Sequence, residues 1–173
     1  MVVYRTKTYI AADFDNDKDG VEILHKWNES NHWSLHFKDA HELQQSYDSS
    51  LYCSIKSSLK MRMDASKTFI LIVGDKTNNV TKGGCQNCGS YNSWNKSCGR
   101  GYSIDYRSYI KYECDEAVKA GIKIVVLYNK TQVDKSLCPD AVKNFGNHQR
   151  MYYKGVDGKY YWDYQGVKNA IEN

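Results

Sequence analysis

The chain has 173 residues, a formal net charge of +4 and 41% hydrophobic residues, which suits one domain around a single hydrophobic core. The charge is small and evenly scattered, and no nucleic-acid-binding motif is present, so we expect no nucleic-acid partner. The sequence lacks an apolar run long enough for a bilayer and an N-terminal signal pattern, so we expect a soluble, cytoplasmic protein without a membrane partner.

The first half of the chain predicts alternating strands and helices. A helix is predicted where Leu43, Tyr47, Leu51, Ile55, Leu59 and Met63 recur every four residues. Before it, the pattern predicts a strand at 7–13, an acidic loop at 13–20, a helix at 21–28 and a short strand at 34–39.

The second half continues this alternation around one long polar segment. The predicted elements are a buried strand at 67–74, a loop at 75–106, a helix at 107–120 ended by Gly121, a strand at 122–129, a short helix starting near Pro139, a strand pair at 150–164 and a C-terminal helix. This order predicts an α/β fold with a mainly parallel central sheet and helices on both faces. We expect one domain over residues 1–173, with a Cys/Gly-rich insertion at about 76–106.

Polar side chains follow several of the predicted strands. They include Asp13 and Asp15, on either side of Phe14, after the first strand, Asp75 after the third and Lys130 after a later one. Sites in open parallel sheets form at the carboxyl ends of strands. The acids and the lysine suit a Mg²⁺-binding receiver domain, although a phosphoacceptor is not clearly placed. The alternative is that polar residues end strands because loops meet water.

Three cysteines of the insertion, Cys85, Cys88 and Cys98, have the spacing C-x₂-C-x₉-C. Two thiolates at the C-x₂-C spacing can bind one Zn²⁺, but structural zinc takes four ligands and the fourth is not obvious. The other interpretation is a set of free thiols in a flexible loop. Cys53 and Cys114 fall within predicted helices and are expected to be small core residues.

Glu113 lies in the helix predicted at 107–120. Helical spacing places it on one face with Tyr109, Ile110 and Ala117. A carboxylate in this position is stabilised by the helix dipole, and most helix glutamates are solvated. Taken alone, these residues favour a surface acid.

Several segments together resemble the bacterial TIR-like domains that include the ThsB proteins of Thoeris anti-phage defence. The resemblance covers about residues 7–129 and implies a flavodoxin-like TIR fold. The segments that carry it are KTYIAADFDND, FKDAHE, DSSLYCSIKSSL, SKTFILIVGDKT and YIKYECDEAVKAGIKIVVLYN. The last two segments are the most specific.

The resemblance assigns roles to five residues. Glu113 matches the catalytic glutamate of enzymatic TIR domains, and Phe14 matches an aromatic residue that holds the nicotinamide side of the substrate. Asp13 and Asp39 are implied to border the site. Tyr109 stands at the start of the glutamate helix, where the family often has Trp. No metal and no cofactor are implied, because NAD⁺ is the substrate.

The implied activity is cleavage of the nicotinamide–ribose bond of NAD⁺. The product would be a cyclic or conjugated derivative of ADP-ribose that signals to a separate effector, and self-association on activation is implied as well. The insertion at 83–101 is absent from many relatives and would lie near the site. The alternative is a non-catalytic TIR-like module that binds a protein or a nucleotide, since a fold does not fix a function.

Overall fold

The structure, a computed structural model, describes residues 4–40 and 51–173. The strands described are Lys7–Ala11 (β1), Ser66–Val73 (β2), Tyr91–Asn92 (β3), Ser97–Cys98 (β4), Lys123–Tyr128 (β5), Asn147–Arg150 (β6), Tyr152–Lys154 (β7) and Tyr160–Trp162 (β8). The α-helices described are Lys18–Glu29 (α1), Tyr52–Asp64 (α2), Tyr109–Ala120 (α3) and Tyr164–Glu172 (α4). None of the helices in these ranges is long and apolar enough to cross a membrane.

The central sheet has four parallel strands in the order β1-β2-β5-β6. On the outer side of β1, the backbone N–H of Thr8 donates to the carbonyl of Lys38 at 2.7 Å, and Thr8 forms a parallel bridge with Asp39. After α1, the chain therefore passes along one side of β1 at residues 38 and 39, and it later returns as β2 on the opposite side of β1. This reversal of direction beside the first strand is the flavodoxin-like order, so the predicted α/β fold class is confirmed.

The sheet is covered on both faces, and β2 shows this most clearly. Phe69, Leu71 and Val73 point into the cluster that packs against α2 and α3. Ile70 and Ile72 point into the cluster that packs against α1 and α4. Because neighbouring residues of a strand face opposite sides, a strand buried on both faces is apolar throughout.

The short strand predicted at 34–39 is wrong. Leu35 and Phe37 are buried, as the alternation suggested, but His36 between them has φ 53°. A left-handed residue interrupts an extended segment. Only the single bridge at Asp39 remains of the predicted pairing.

The predicted helical stripe is confirmed from Ile55 onward, whereas Leu51 precedes α2 as its N-cap, with an extended backbone. Leu59 and Met63 of α2 are buried in the core, and Ile55 packs against them. Leu43 and Tyr47, which were predicted to begin the stripe, lie outside the described residues.

Two predictions for the C-terminal part have opposite outcomes. The hairpin β7–β8 is present, and Gly158 supplies the φ of 79° that its turn needs. The helix expected at Pro139 is wrong, because that segment forms turns only. The strand β6 was not predicted, since its sequence NHQR is polar and it pairs only at the edge of the sheet.

Candidate active site

A cleft of about 740 Å³ opens at the carboxyl ends of β1 and β2. Its walls come from the loop after β1, from α2, from the residues that follow β2 and from the start of α3. The strand order reverses at this point, so the cleft lies where open α/β sheets bind ligands. Four of the predicted site residues line it: Asp13, Phe14, Tyr109 and Glu113.

Glu113 forms the inner end of the cleft. The helix α3 begins after Ser108, whose hydroxyl accepts a hydrogen bond from the backbone N–H of Lys111, and it ends at Gly121 with φ 63°. Glu113 shares the core-facing side with Ile110 and Ala117, so its carboxylate is drawn inward and is only 7% exposed. The surface position favoured by the helical pattern alone is therefore wrong.

The hydroxyl of Tyr9 compensates for this burial. Tyr9 lies in β1, is fully buried, and donates a hydrogen bond of 2.5 Å to Oε1 of Glu113. A buried carboxylate needs such donors, because removing a charge from water without them is costly. Sequence analysis did not single out Tyr9. The available signal was a tyrosine in a fully buried strand, whose hydroxyl must find a partner.

Phe14 and Asp13 belong to the loop between β1 and α1, and they differ in what they offer a ligand. The Asp13 carboxylate accepts from the backbone N–H of Asp15 at 3.2 Å and from Nδ2 of Asn16 at 2.6 Å. Its two oxygens therefore hold the loop in shape. Phe14 is 51% exposed and presents its ring to the cleft. The loop thus positions an aromatic surface at the mouth of the cleft that holds Glu113.

Tyr109 forms the wall on the side of the insertion. Gly83 packs against its ring: a Cβ on Gly83 would lie 2.5 Å from Cδ1 of Tyr109, and the φ of Gly83 is 102°. Both facts require glycine there. Burial, followed by the charge of Tyr52, raises the pKa of Tyr109. Among the residues that the structure describes, its buried hydroxyl has no hydrogen-bond partner.

Asp39 does not belong to the cleft. Its carboxylate oxygen Oδ2 lies 3.2 Å from Nε2 of His25, and its backbone pairs beside Thr8, near the start of β1. The cleft is at the other end of that strand. The resemblance implied that Asp39 lies in a loop that borders the site. This prediction is wrong, because Asp39 pairs with Thr8 through a single bridge.

Three lining residues were missed by sequence analysis. Lys76 and Lys82 lie on the segment after β2 and bring positive charge to the cleft. Tyr52 begins α2, and its ring meets that of Tyr109 edge-on, with centroids 5.7 Å apart. No local sequence pattern marks these positions as site residues. They meet only because the fold brings α2 and the segment after β2 together.

The cysteines of the insertion surround a crevice beside the cleft. Cys85, Cys88 and Cys98 line it together with Cys53 of α2, which is half-buried. In the two described ranges, no three His, Cys, Asp or Glu side chains are grouped so that they could hold a metal ion. Cys114 is fully buried in the core, as predicted.

An ion-pair network attaches the end of the insertion to the helices. Asp105 accepts from Nε and Nη2 of Arg107, and Nζ of Lys56 lies 3.3 Å from its carboxylate. Arg107 also binds Asp115 of α3 at 2.9 Å. The backbone N–H of Cys85 donates to the carbonyl of Asp105. The insertion is therefore fixed against the wall that carries Tyr109.

A family model described as the TIR-like domain of the Thoeris protein ThsB matches residues 9–82. This match confirms the resemblance for that part of the chain, which is less than half of its length. It includes Asp13, Phe14 and Asp39 but ends before Tyr109 and Glu113. No curated protein matches the chain.

Proposed function

We propose that this protein, which carries a ThsB-type TIR-like domain in residues 9–82, cleaves the bond between nicotinamide and ribose in NAD⁺. One observation carries the proposal: the buried carboxylate of Glu113, held by Tyr9, shares a cleft of about 740 Å³ with the exposed ring of Phe14. Cavities of several hundred Å³ accommodate ligands of dinucleotide size.

Each part of NAD⁺ has a suitable partner in this cleft. The nicotinamide ring stacks on Phe14 at the mouth, which orients the bond to be broken. The ribose lies toward Glu113, beside the wall of the cleft that Tyr109 forms. The negatively charged pyrophosphate pairs with Lys76 and Lys82, which balance its charge.

In the proposed reaction the bond between C1′ of the ribose and the nicotinamide nitrogen breaks. The electron pair stays with the nitrogen, so the nicotinamide cation leaves as a neutral molecule and needs no general acid. The positive charge moves to the ribose, which resembles an oxocarbenium ion as in glycoside hydrolysis. The carboxylate of Glu113 stabilises this charge without forming a bond to it.

The product depends on which nucleophile reaches the ribosyl cation. Attack by water, with loss of a proton, gives ADP-ribose. Attack by a nitrogen or hydroxyl of the same molecule gives a cyclic isomer, and attack by another bound nucleophile gives a conjugate. We propose a cyclic or conjugated product that a separate Thoeris effector recognises, formed by a self-associated enzyme. Mass spectrometry of the reaction mixture identifies the product, and light scattering with NAD⁺ tests the self-association.

The decisive experiment measures nicotinamide release from NAD⁺ by the purified chain over a range of protein concentrations. We expect Glu113→Gln to lower the rate by roughly a hundredfold or more, since it removes the charge that stabilises the transition state. The matched control is Glu116→Gln. Glu116 is a second buried glutamate of α3, it lies 3.4 Å from Lys60, and it does not line the cleft.

Equal rates for the wild-type chain and Glu113→Gln would exclude Glu113 from the reaction. Binding of NAD⁺ by the wild-type chain without release of nicotinamide would favour the non-catalytic nucleotide-binding module instead.

A further inference from the structure

We propose that a second cavity, of about 520 Å³, binds an organic cation with an alkylated ammonium group. The cavity is at the same edge of the sheet as the first cleft. It lies between the hairpin β7–β8, the start of α1 and the residues after β2 and β5. Asp75 lines this cavity, whereas the next residue, Lys76, lines the first cleft, so the chain at the end of β2 separates them.

Three aromatic rings form one side of the cavity. The ring of Tyr152 is perpendicular to that of Tyr160, with centroids 6.1 Å apart and an angle of 89°. It is also perpendicular to the ring of Trp162, at 5.7 Å and 83°. Tyr160 and Trp162 are two residues apart in β8 and therefore face the same side of the hairpin. In each of these pairs the edge of one ring meets the face of the other, and the ring faces that stay open toward the cavity are electron-rich and attract cations.

Two carboxylates face these rings. Asp19 comes from the first turn of α1, and Asp75 follows β2. Lys130 also lines the cavity, and its Nζ binds Asp75 at 2.5 Å. The ammonium group of Lys130 is thus already paired with one of the two carboxylates. Asp19, Asp75 and Lys130 together carry one net negative charge. This charge favours a cationic ligand over a neutral or anionic one.

The three rings, which we call the aromatic cage, are held in place without a ligand. The hydroxyl of Tyr152 donates to the carbonyl of Asn129 at 3.1 Å, and Trp162 packs edge-on against Trp27 of α1 at 6.3 Å. A site that needs no ordering loses less free energy on binding. Apart from its contact with Tyr152, packing explains little of the position of Tyr160, which is 64% exposed. A role in binding gives a reason for its position.

The experiment compares choline with dimethylbutanol, in which carbon replaces the quaternary nitrogen. Both are titrated into the whole chain by calorimetry. We expect choline to bind at least roughly fivefold more tightly, since the two differ only in the charge that the rings and acids attract. Equal affinities, or no binding of choline to the folded protein, would overturn the proposal.

Three variants locate the site. Tyr160→Leu should weaken choline binding roughly fivefold, and unchanged binding would contradict the cage. Tyr106→Leu is the control, because Tyr106 is a half-exposed tyrosine that does not line the cavity and should leave affinity unchanged. Lys130→Met should strengthen binding, since it releases Asp75. Circular dichroism checks that each variant is folded, and Glu113→Gln should bind choline as the wild-type chain does.

Discussion

The hydroxyl of Tyr9 donates a hydrogen bond of 2.5 Å to Oε1 of Glu113, joining the first strand of the sheet to the helix that carries the proposed catalytic acid. Burial, the charge of Glu113 and this hydrogen bond raise the pKa of Tyr9 well above its ordinary value, so the hydroxyl stays protonated. The ring of Tyr9 packs against Phe69, its neighbour in β2, with centroids 5.8 Å apart. The sheet therefore fixes the donor, and the donor fixes the carboxylate.

Replacing Tyr9 by Phe should lower nicotinamide release by roughly tenfold, because it removes the donor that orients the carboxylate. The loss should appear in kcat, with the KM for NAD⁺ nearly unchanged, because the donor orients the carboxylate and does not contact the ligand. Steady-state rates over a range of NAD⁺ concentrations measure both quantities. Tyr112→Phe is the control, since Tyr112 lies in the same helix but outside the cleft. An unchanged kcat would show that Tyr9 serves packing alone.

Replacing Phe14 by Leu should raise the KM for NAD⁺ by roughly fivefold, because stacking of two aromatic rings contributes about 1 kcal/mol. The free energy of unfolding should change little, since half of the side chain is already exposed. Steady-state kinetics and urea unfolding separate the two quantities. If kcat fell at constant KM, Phe14 would act in the transition state and not in binding.

Replacing Tyr109 by Phe should move stability and affinity in opposite directions. The variant removes a buried hydroxyl that lacks a partner among the described residues, so the free energy of unfolding should stay the same or rise by about 1 kcal/mol. The affinity for NAD⁺ should fall, because Tyr109 lines the cleft and we expect its hydroxyl to pair with the bound ligand. Thermal unfolding with and without NAD⁺ reports both. A loss of stability in the absence of NAD⁺ would mean that the hydroxyl has an internal partner.

The order of strands and helices was predictable because it depends on local patterns. The run of apolar residues in β2 indicates a strand buried on both faces, and Gly121 marks the end of α3. Both signals lie within one element and need no knowledge of its neighbours. The polar edge strand β6 has no such signal. The positive φ of His36 could not be predicted, because apolar and polar residues alternate around it as they do in a strand.

The candidate site was only partly predictable, because it depends on contacts between distant residues. Helical spacing placed Glu113 on one face of α3, but whether that face meets water or the sheet depends on Tyr9, which is 104 residues earlier. The same limit explains Asp39, whose place beside His25 follows from how the segment after α1 crosses the edge of the sheet. Resemblance supplied the role of Glu113, and the fold supplied its surroundings.

Replacing Asp105 by Asn should destabilise the protein at neutral pH by about 1–2 kcal/mol, because it breaks the ion pairs that hold the insertion. Burial alone would raise the pKa of Asp105, but hydrogen bonds from Arg107 and the charges of Lys56 and Arg107 lower it to about 2 from 3.8. Since the folded pKa is the lower one, the stabilisation is present above about pH 4 and is lost as the pH falls toward 2. The difference between wild type and variant should therefore shrink on acidification.

Urea unfolding of both proteins between about pH 7 and pH 3 measures this difference. The control is Asp140→Asn, which should change stability little at any pH. The side chain of Asp140 is 98% exposed and only 3.6 Å from Lys143, and exposed pairs of this kind contribute little. A difference between wild type and Asp105→Asn that stayed constant with pH would show that the Asp105 side chain acts by its shape and not by its charge. A difference that grew as the pH fell would have the opposite sign to the one expected from the lowered pKa of Asp105. It would rule out the ion pairs as the source of the stabilisation.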